Sequence, residues 1–366
     1  LPHRVRHPLS TNGAPVRTYA PPMRRLLPVL FTTALVAAAC GSDSNGESSA
    51  TTDTAPSTDA PTETVEATDA PPEAAPTTEA PPATVPATEV ATTTTTTTTT
   101  IAPQPAVTPA DLAATGPYAV GVVTRALPEG NAVEVWYPAD ESARGGTVDY
   151  TVRSFLPPAV ADLVPDTIDD TRSIDATRDA PAAADGPSPI VLFSHGSTSF
   201  RLQSSVLAQH LASWGIVTAS TDHPSRDLLN AIGGTTEGQR PSIDDFRSMR
   251  TYLTTLSDDE ILGGVLDNDR VALGGHSAGG GTVVQMAGDD GILGYVSYAS
   301  GLGDEAPDVP SLFMAGELDM IVDPVERTAA AFERAPAPSW SWSFADAGHL
   351  AFSDLCAVGS EGATLI

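Results

Sequence analysis

Arg270-Val271-Ala272-Leu273-Gly274-Gly275-His276-Ser277-Ala278-Gly279-Gly280 is the stretch whose reading decides the rest of this chain. Its centre, Gly275 to Gly279, fits the pattern G-x-S-x-G. A short apolar run precedes it, and Gly279 to Ala287 follows as a helical pattern. Strand, sharp turn and helix in that order place a Ser on a strained backbone corner, and the small neighbours let other segments come close. The start of the helix also favours negative charge developing beside Ser277. A Ser hydroxyl is a weak nucleophile, so such a corner needs a base elsewhere and an acid to orient that base.

In this arrangement the acid follows the Ser along the chain and the His comes last. Ser311 to Met314 reads as a strand, and Asp319 lies in the loop beyond it. Trp340 to Phe344 reads as another, with Ala347-Gly348-His349 after it. His349 is the one His after Ser277, so it is the candidate base. Asp319 is the candidate acid, with Asp323 and Glu317 as near competitors. An oxyanion in this chemistry needs two backbone donors. One is expected from Ala278, the residue after the nucleophile. The other is expected from Ser194-His195-Gly196-Ser197-Thr198, which follows the strand-like Ile190 to Phe193. Ser197 is assigned that role, with Thr198 as the alternative. His195 precedes the nucleophile and is read as bracing its loop; His276 is read as packed beside the corner. His210 and His223 receive no role.

Working outward, strand-like runs lie at 133–137, 190–193, 216–219, 271–273, 295–298, 311–314 and 340–344. Between them, Val206, Leu207, Leu211 and Trp214 share one helical face. Ile243, Phe246, Met249, Leu253 and Leu256 share another, after the starter Pro241-Ser242. Strands alternating with helices predict an α/β domain with a mostly parallel sheet flanked by helices. The runs near 119–124 and 131–138 have no helix between them and predict a leading antiparallel hairpin. The Pro-, Asp- and Ala-rich stretch 142–188 is left between two readings, a partial lid or a loop on the far side. Trp340 and Trp342 alternate with Ser and are expected to pack against the core. Asp267-Asn268-Asp269 is read as a turn.

Taken together, several pieces resemble an α/β-hydrolase. They are Phe193-Ser194-His195-Gly196, Leu211-Ala212-Ser213-Trp214-Gly215-Ile216-Val217, Thr221-Asp222-His223-Pro224, the Ser277 corner and Gly348-His349. Within that superfamily the chain is most similar to platelet-activating-factor acetylhydrolase and dienelactone-hydrolase-related esterases, over roughly residues 118–356. Ser277 departs from the Cys nucleophile of dienelactone hydrolases. Polyester hydrolases and cutinase-like lipases share the corner and the Ala-Ser-x-Gly pattern and stay close alternatives. The resemblance implies hydrolysis of short-chain or lipid-like carboxylic esters through an acyl-enzyme, by Ser277, His349 and Asp319, without a cofactor. It also supports Ser197 as an oxyanion donor. A non-catalytic surface lipoprotein is the alternative of another class.

The flanking sequence has a different character. The chain has 366 residues, 18 Arg, no Lys and 46 acidic side chains, a net charge of −28. That excludes a basic face for nucleic acid. Residues 1–22 match no targeting pattern and read as a non-native extension upstream of Met23. Residues 23–39 read as a signal peptide: Arg24 and Arg25, then an apolar run too short to span a bilayer. Ala37-Ala38-Ala39-Cys40 resembles a bacterial lipoprotein site, with Cys40 lipidated and the domain held at the outer face of the membrane; without lipidation it would be secreted. In residues 41–110, 32 of 70 positions are Thr or Pro, nine of them the Thr run 92–100. Such a segment buries too little apolar surface to offset its chain entropy and reads as a disordered tether over 40–110. Residues 111–366 are the catalytic domain. Cys356 would then lack a partner in an exported chain. Gly359 to Ile366 is a poor closing helix, so a C-terminal truncation is expected. His and Cys spacings give no zinc signature, and no dinucleotide fingerprint is present.

Overall fold

The computed structural model describes residues 108–303 and 306–357. The expectations for residues 1–22, the signal 23–39, Cys40 and most of the tether lie outside the described residues. Of Cys356 only the backbone is described, in a 3-10 turn, Asp354–Ala357.

Strands β1 (Ala119–Ala126) and β2 (Ala132–Ala139) form the leading antiparallel hairpin. The following stretch contains β3 (Val148–Thr151) and β4 (Thr171–Ile174), a separate antiparallel pair, and β5 (Thr177–Arg178), which lies parallel to β1. Then come β6 (Ser188–Ser194), α1 (Ser205–Ser213), β7 (Val217–Thr221), α2 (Leu228–Gly233) and α3 (Ser242–Leu253). The second half holds β8 (Leu266–His276), α4 (Ala278–Met286), β9 (Ile292–Tyr298), β10 (Ser311–Gly316), α5 (Ala330–Arg334) and β11 (Ser339–Phe344).

The nine-stranded sheet runs β11-β10-β9-β8-β6-β7-β2-β1-β5. From β7 to β11 every neighbouring pair is parallel. The chain places β7 on one side of β6 and β8 on the other. The crevice at such a reversal, beyond the carboxyl ends of the strands, is where open α/β sheets bind ligands. Register sharpens the point. Ser194 pairs with Gly275, so the loops leaving β6 and β8 emerge side by side. Gly316 pairs with Phe344, which does the same for the loops carrying Asp319 and His349.

Apolar strands buried on both faces need cover on both. On α3 the spacing of Phe246, Met249 and Leu253 puts all three into the main core, together with Leu192, Leu273 and Phe313. A second core lies between the hairpin and the 142–188 stretch, where Trp136, Tyr150, Ile174 and Phe200 are buried together. Phe155 stacks on Phe200 with centroids 4.1 Å apart. The 142–188 stretch therefore packs on the chain just beyond residues 194–198, on the side of the crevice, and builds three strands of its own.

One expectation is corrected. Trp340 and Trp342 do not pack against the core: they are 41% and 55% exposed, while Ser339 beside them is fully buried. Alternation along a strand shows that the two rings share a face. Which face is covered depends on what packs there, and β11 is the edge of the sheet. Trp342 instead stacks on Phe344 at 5.1 Å. Thermal denaturation can check the contrast. Phe246→Ala should cost about 3–5 kcal/mol, as truncation of a buried ring does, and Trp342→Ser should stay within about 0.5 kcal/mol of wild type, as exposed positions do.

Candidate active site

Ser277 sits between β8 and α4 with φ 55° and ψ −121°, a conformation that non-glycine residues rarely adopt. Its N–H donates to Tyr298 O at 2.9 Å, which holds the corner to β9. Gly279 is required by close approach: a Cβ there would collide with the backbone carbonyls of Ser194 and His195. Gly196 faces the corner from the other side, where an added Cβ would lie 3.4 Å from Ser277 Cβ and 3.1 Å from His276 Nδ1.

The loop after β10 and the loop after β11 meet in a buried bond. His349 Nδ1–H donates to Asp319 Oδ2 at 2.7 Å, with the two side chains 4% and 1% exposed. The carboxylate fixes the tautomer, leaving Nε2 as the basic nitrogen. Asp319 Oδ1 accepts from the N–H groups of Ile321 and Val322 at 2.9 and 2.8 Å, so the acid is itself locked. The competing carboxylates are engaged elsewhere. Asp323 Oδ1 caps the following turn through Val325 and Glu326 N–H, and Glu317 accepts from Ser343 Oγ. His349 lies next to the Ser277 corner, because His276 Nε2–H donates to His349 O at 2.9 Å. Among the described residues no hydrogen bond joins the Ser277 hydroxyl to the His349 ring. Such contacts tighten when substrate is bound.

The Ala278 N–H is the first of the orphan donors at the start of α4. Of the two candidates on the facing loop, Thr198 has its N–H committed to Arg226 O at 2.8 Å. Ser197 N–H has no such partner among the described residues. Its direction follows from its peptide plane: Gly196 C=O points the opposite way and accepts from His195 Nδ1–H at 2.8 Å. His195 Nε2 is in turn occupied by His223 N–H, which settles the tautomer.

Beneath this loop lies a buried polar cluster. Arg226 donates to Ser194 Oγ at 2.7 Å, to Thr282 Oγ1 at 2.8 Å and to Ala278 O at 3.3 Å. Ser194 Oγ and His223 Nε2 share a hydrogen bond at 2.9 Å. Burial pushes the Asp245 carboxyl up to about 6 and the Arg226 guanidinium down to about 10, so the latter stays charged at neutral pH. Burial, then the Arg226 charge, pushes the His195 imidazole down to about 3. Burial, then the His349 ring, pushes His276 down to about 4. Among the described residues no group of three or more His, Cys, Asp or Glu is placed to hold a metal ion.

Sequence reasoning passed over Gln203, Arg226 and His223. Gln203 carries no motif; it is found only because it bridges Gly196 and His276 in space. His223 stands in the Thr221-Asp222-His223-Pro224 piece, a signal that was present without an assigned role.

Residues 127–237 match the family model described as "Platelet-activating factor acetylhydrolase, isoform II". The sheet and its flanking helices have the α/β-hydrolase fold, and over these residues the chain is similar to that family. The match runs from the hairpin through the 194–198 loop to α2 and stops before Ser277. A platelet-activating factor acetylhydrolase of Cavia porcellus is 26% identical over 194 residues, covering 43% of this chain and 43% of the relative. The aligned part thus spans less than half the length of that curated relative.

Buried imidazoles, His195 and His276 among them, make the fold acid-sensitive. An unfolded His takes up a proton below about pH 6.5, but His276 and His195 in the fold do so only near about 4 and about 3. Between those limits the unfolded chain binds more protons, so stability falls as pH falls, by up to about 1.4 kcal/mol per pH unit for each imidazole. The Asp245 carboxyl, which takes up a proton in the fold near about 6, offsets part of this, so melting temperatures measured from neutral pH down to about pH 4.5 should fall below about 6.5; a flat profile would contradict this.

Proposed function

We propose that this domain is a serine carboxylic-ester hydrolase that acts through an acyl-enzyme on short-chain or lipid-like esters. The observation that carries the reading is the buried 2.7 Å bond from His349 to Asp319, held against a Ser277 corner with φ 55°. Related sequence over residues 127–237 supports the ester class.

The chemistry follows from the groups in place. Ser277 Oγ attacks the ester carbonyl while His349 Nε2 takes its proton. Asp319 keeps the imidazole oriented and stabilises its charged form. The carbonyl oxygen becomes an oxyanion facing the Ser197 and Ala278 N–H groups, which need no reorganisation at that moment. As the tetrahedral species collapses, the C–O bond to the alcohol breaks and His349 returns the proton to the leaving oxygen. Water then attacks the acyl-enzyme, His349 takes its proton, and the acid leaves as Ser277 recovers its hydrogen. A cavity of about 290 Å³ is walled by Phe155 of the 142–188 stretch and by Phe200, Arg201 and Leu228; Ser197, Ser277, Ala278 and His349 do not line it.

A fluorophosphonate probe should label the wild-type domain and fail to label Ser277→Ala. Absence of wild-type labelling with the fold intact would sink the enzyme reading in favour of a binding protein. On p-nitrophenyl esters from acetyl to palmitoyl, turnover should peak at short chains. Ser277→Ala should lower kcat by about 10⁴-fold or more, and Asp319→Asn by about 10³–10⁴-fold. Erosion of a polyester film with weak activity on soluble esters would point to a polyester hydrolase instead.

We also propose that the domain is exported and held by a lipid on Cys40, a reading supported by Met23 to Cys40 alone. Radiolabelled palmitate should enter the wild-type chain expressed in a bacterial host. Cys40→Ala should abolish the label and release the protein from the membrane fraction. A labelled Cys40→Ala chain would overturn the assignment.

A further inference from the structure

We infer that Gln203 is a positioning residue, which ties the loop that binds the oxyanion to the loop that carries the base. The inference rests on the ester-hydrolase reading above and deepens it.

Three hydrogen bonds run in series through buried groups. Gly196 N–H donates to Gln203 Oε1 at 2.8 Å. Gln203 Nε2 donates to His276 Nδ1 at 2.9 Å. His276 Nε2–H donates to His349 O at 2.9 Å. Each link dictates the next. A backbone N–H must meet an oxygen, so the amide of Gln203 has one orientation. Its nitrogen then faces Nδ1, so His276 carries its proton on Nε2, aimed at the carbonyl of the base residue. Gln203, His276 and His349 are 1%, 2% and 3% exposed, so water does not substitute for a lost link. The main chain of Gln203 adds a fourth tie: its carbonyl accepts from Asp354 N–H at 2.8 Å, five residues beyond the base.

The consequence for catalysis lies in Gly196. Its N–H is held by Gln203 and its C=O by His195. With both sides fixed, the Ser197 N–H, which shares the peptide plane of that carbonyl, has a single direction. At the other end the same chain sets the height of His349. The oxyanion donor and the base are thus held at one separation by a side chain that touches neither substrate nor nucleophile. The benefit of such a tie is realised when both groups engage the same tetrahedral species, so it acts on kcat.

The test uses Gln203→Met, which keeps length and volume but removes both hydrogen bonds. Turnover is measured on the best p-nitrophenyl ester, and affinity on a trifluoromethyl ketone bearing the same acyl chain, which forms a tetrahedral oxyanion adduct on the Ser. Small misplacements of reacting groups cost about 10²-fold, so kcat should fall by about 10- to 100-fold with KM within about threefold. Ketone affinity should fall by the same factor as kcat/KM. A side chain that served only stability would lower the melting temperature and the amount of titratable enzyme, and leave kcat per titrated site unchanged. His276→Phe breaks the same chain one link further on, so the double variant should be little worse than the poorer single one; losses that multiply would overturn the series arrangement. Should Gln203→Met not accumulate as folded protein, Gln203→Glu carries the test. It keeps the acceptor for Gly196 and, once its buried carboxyl is ionised at about pH 9, loses the donor to His276, so at that pH a lowered kcat at unchanged KM supports the inference and a wild-type kcat overturns it. Absence of wild-type turnover would sink the hydrolase reading and this inference together, whereas normal kcat and ketone affinity in Gln203→Met sink this inference alone.

Discussion

The corner at Ser277 can form only because two backbones touch beneath it. The carbonyl of Ser194, at the end of β6, lies where a side chain on Gly279 would begin. That contact draws the first turn of α4 against the loop after β6, and the parallel register of Ser194 with Gly275 aligns the two. Everything proposed for the site depends on it. Ser277 stands on strained backbone, and the loop carrying Ser197 comes against the turn that carries Ala278. A larger residue at 279 would push the two loops apart and separate the donors from the nucleophile.

Holding that arrangement takes a buried polar framework, and burial sets its electrical state. His195 and His276 are kept neutral by desolvation, so each offers one donor and one acceptor in a defined order. A protonated ring would have two donors and would break the sequence of bonds at Gly196 or at Gln203. Arg226 is the buried cation of this cluster, and the more exposed Arg240 approaches Asp245 at 3.7 Å. Arg226 binds hydroxyl and carbonyl oxygens at Ser194, Thr282 and Ala278, with Asp245 as the nearby countercharge. The cluster is thus specific because few of its members have an alternative partner. The same feature makes it vulnerable to acid.

Much of the fold was legible from local pattern. Alternating strand-like and helical runs implied a mostly parallel sheet, and the absent helix between 119–124 and 131–138 implied the hairpin. The Ser277 corner, the acid in the loop after one strand and the His after the next were legible because chain order and strand ends constrain them. What was not legible depended on partners far away in sequence. Trp340 and Trp342 share a face by alternation, but their exposure depends on β11 being the edge of the sheet. The 142–188 stretch has too irregular a pattern to show that Tyr150 and Phe155 close over Phe200.

The amino-acid sequence by itself determined the candidate nucleophile, acid and base, since each is marked by a local element and the order is one-directional. It also left Ser197 and Thr198 as rival donors, and Asp323 and Glu317 as rival acids. Only the tertiary structure separated these, because the difference lies in hydrogen bonds already taken. Thr198 N–H is occupied by Arg226, Asp323 by a turn, and Asp319 alone of the three carboxylates bonds His349. Gln203 belongs wholly to the tertiary level. A single amide between two loops leaves no periodic trace in sequence, and its role exists only where Gly196 and His276 come within reach of it.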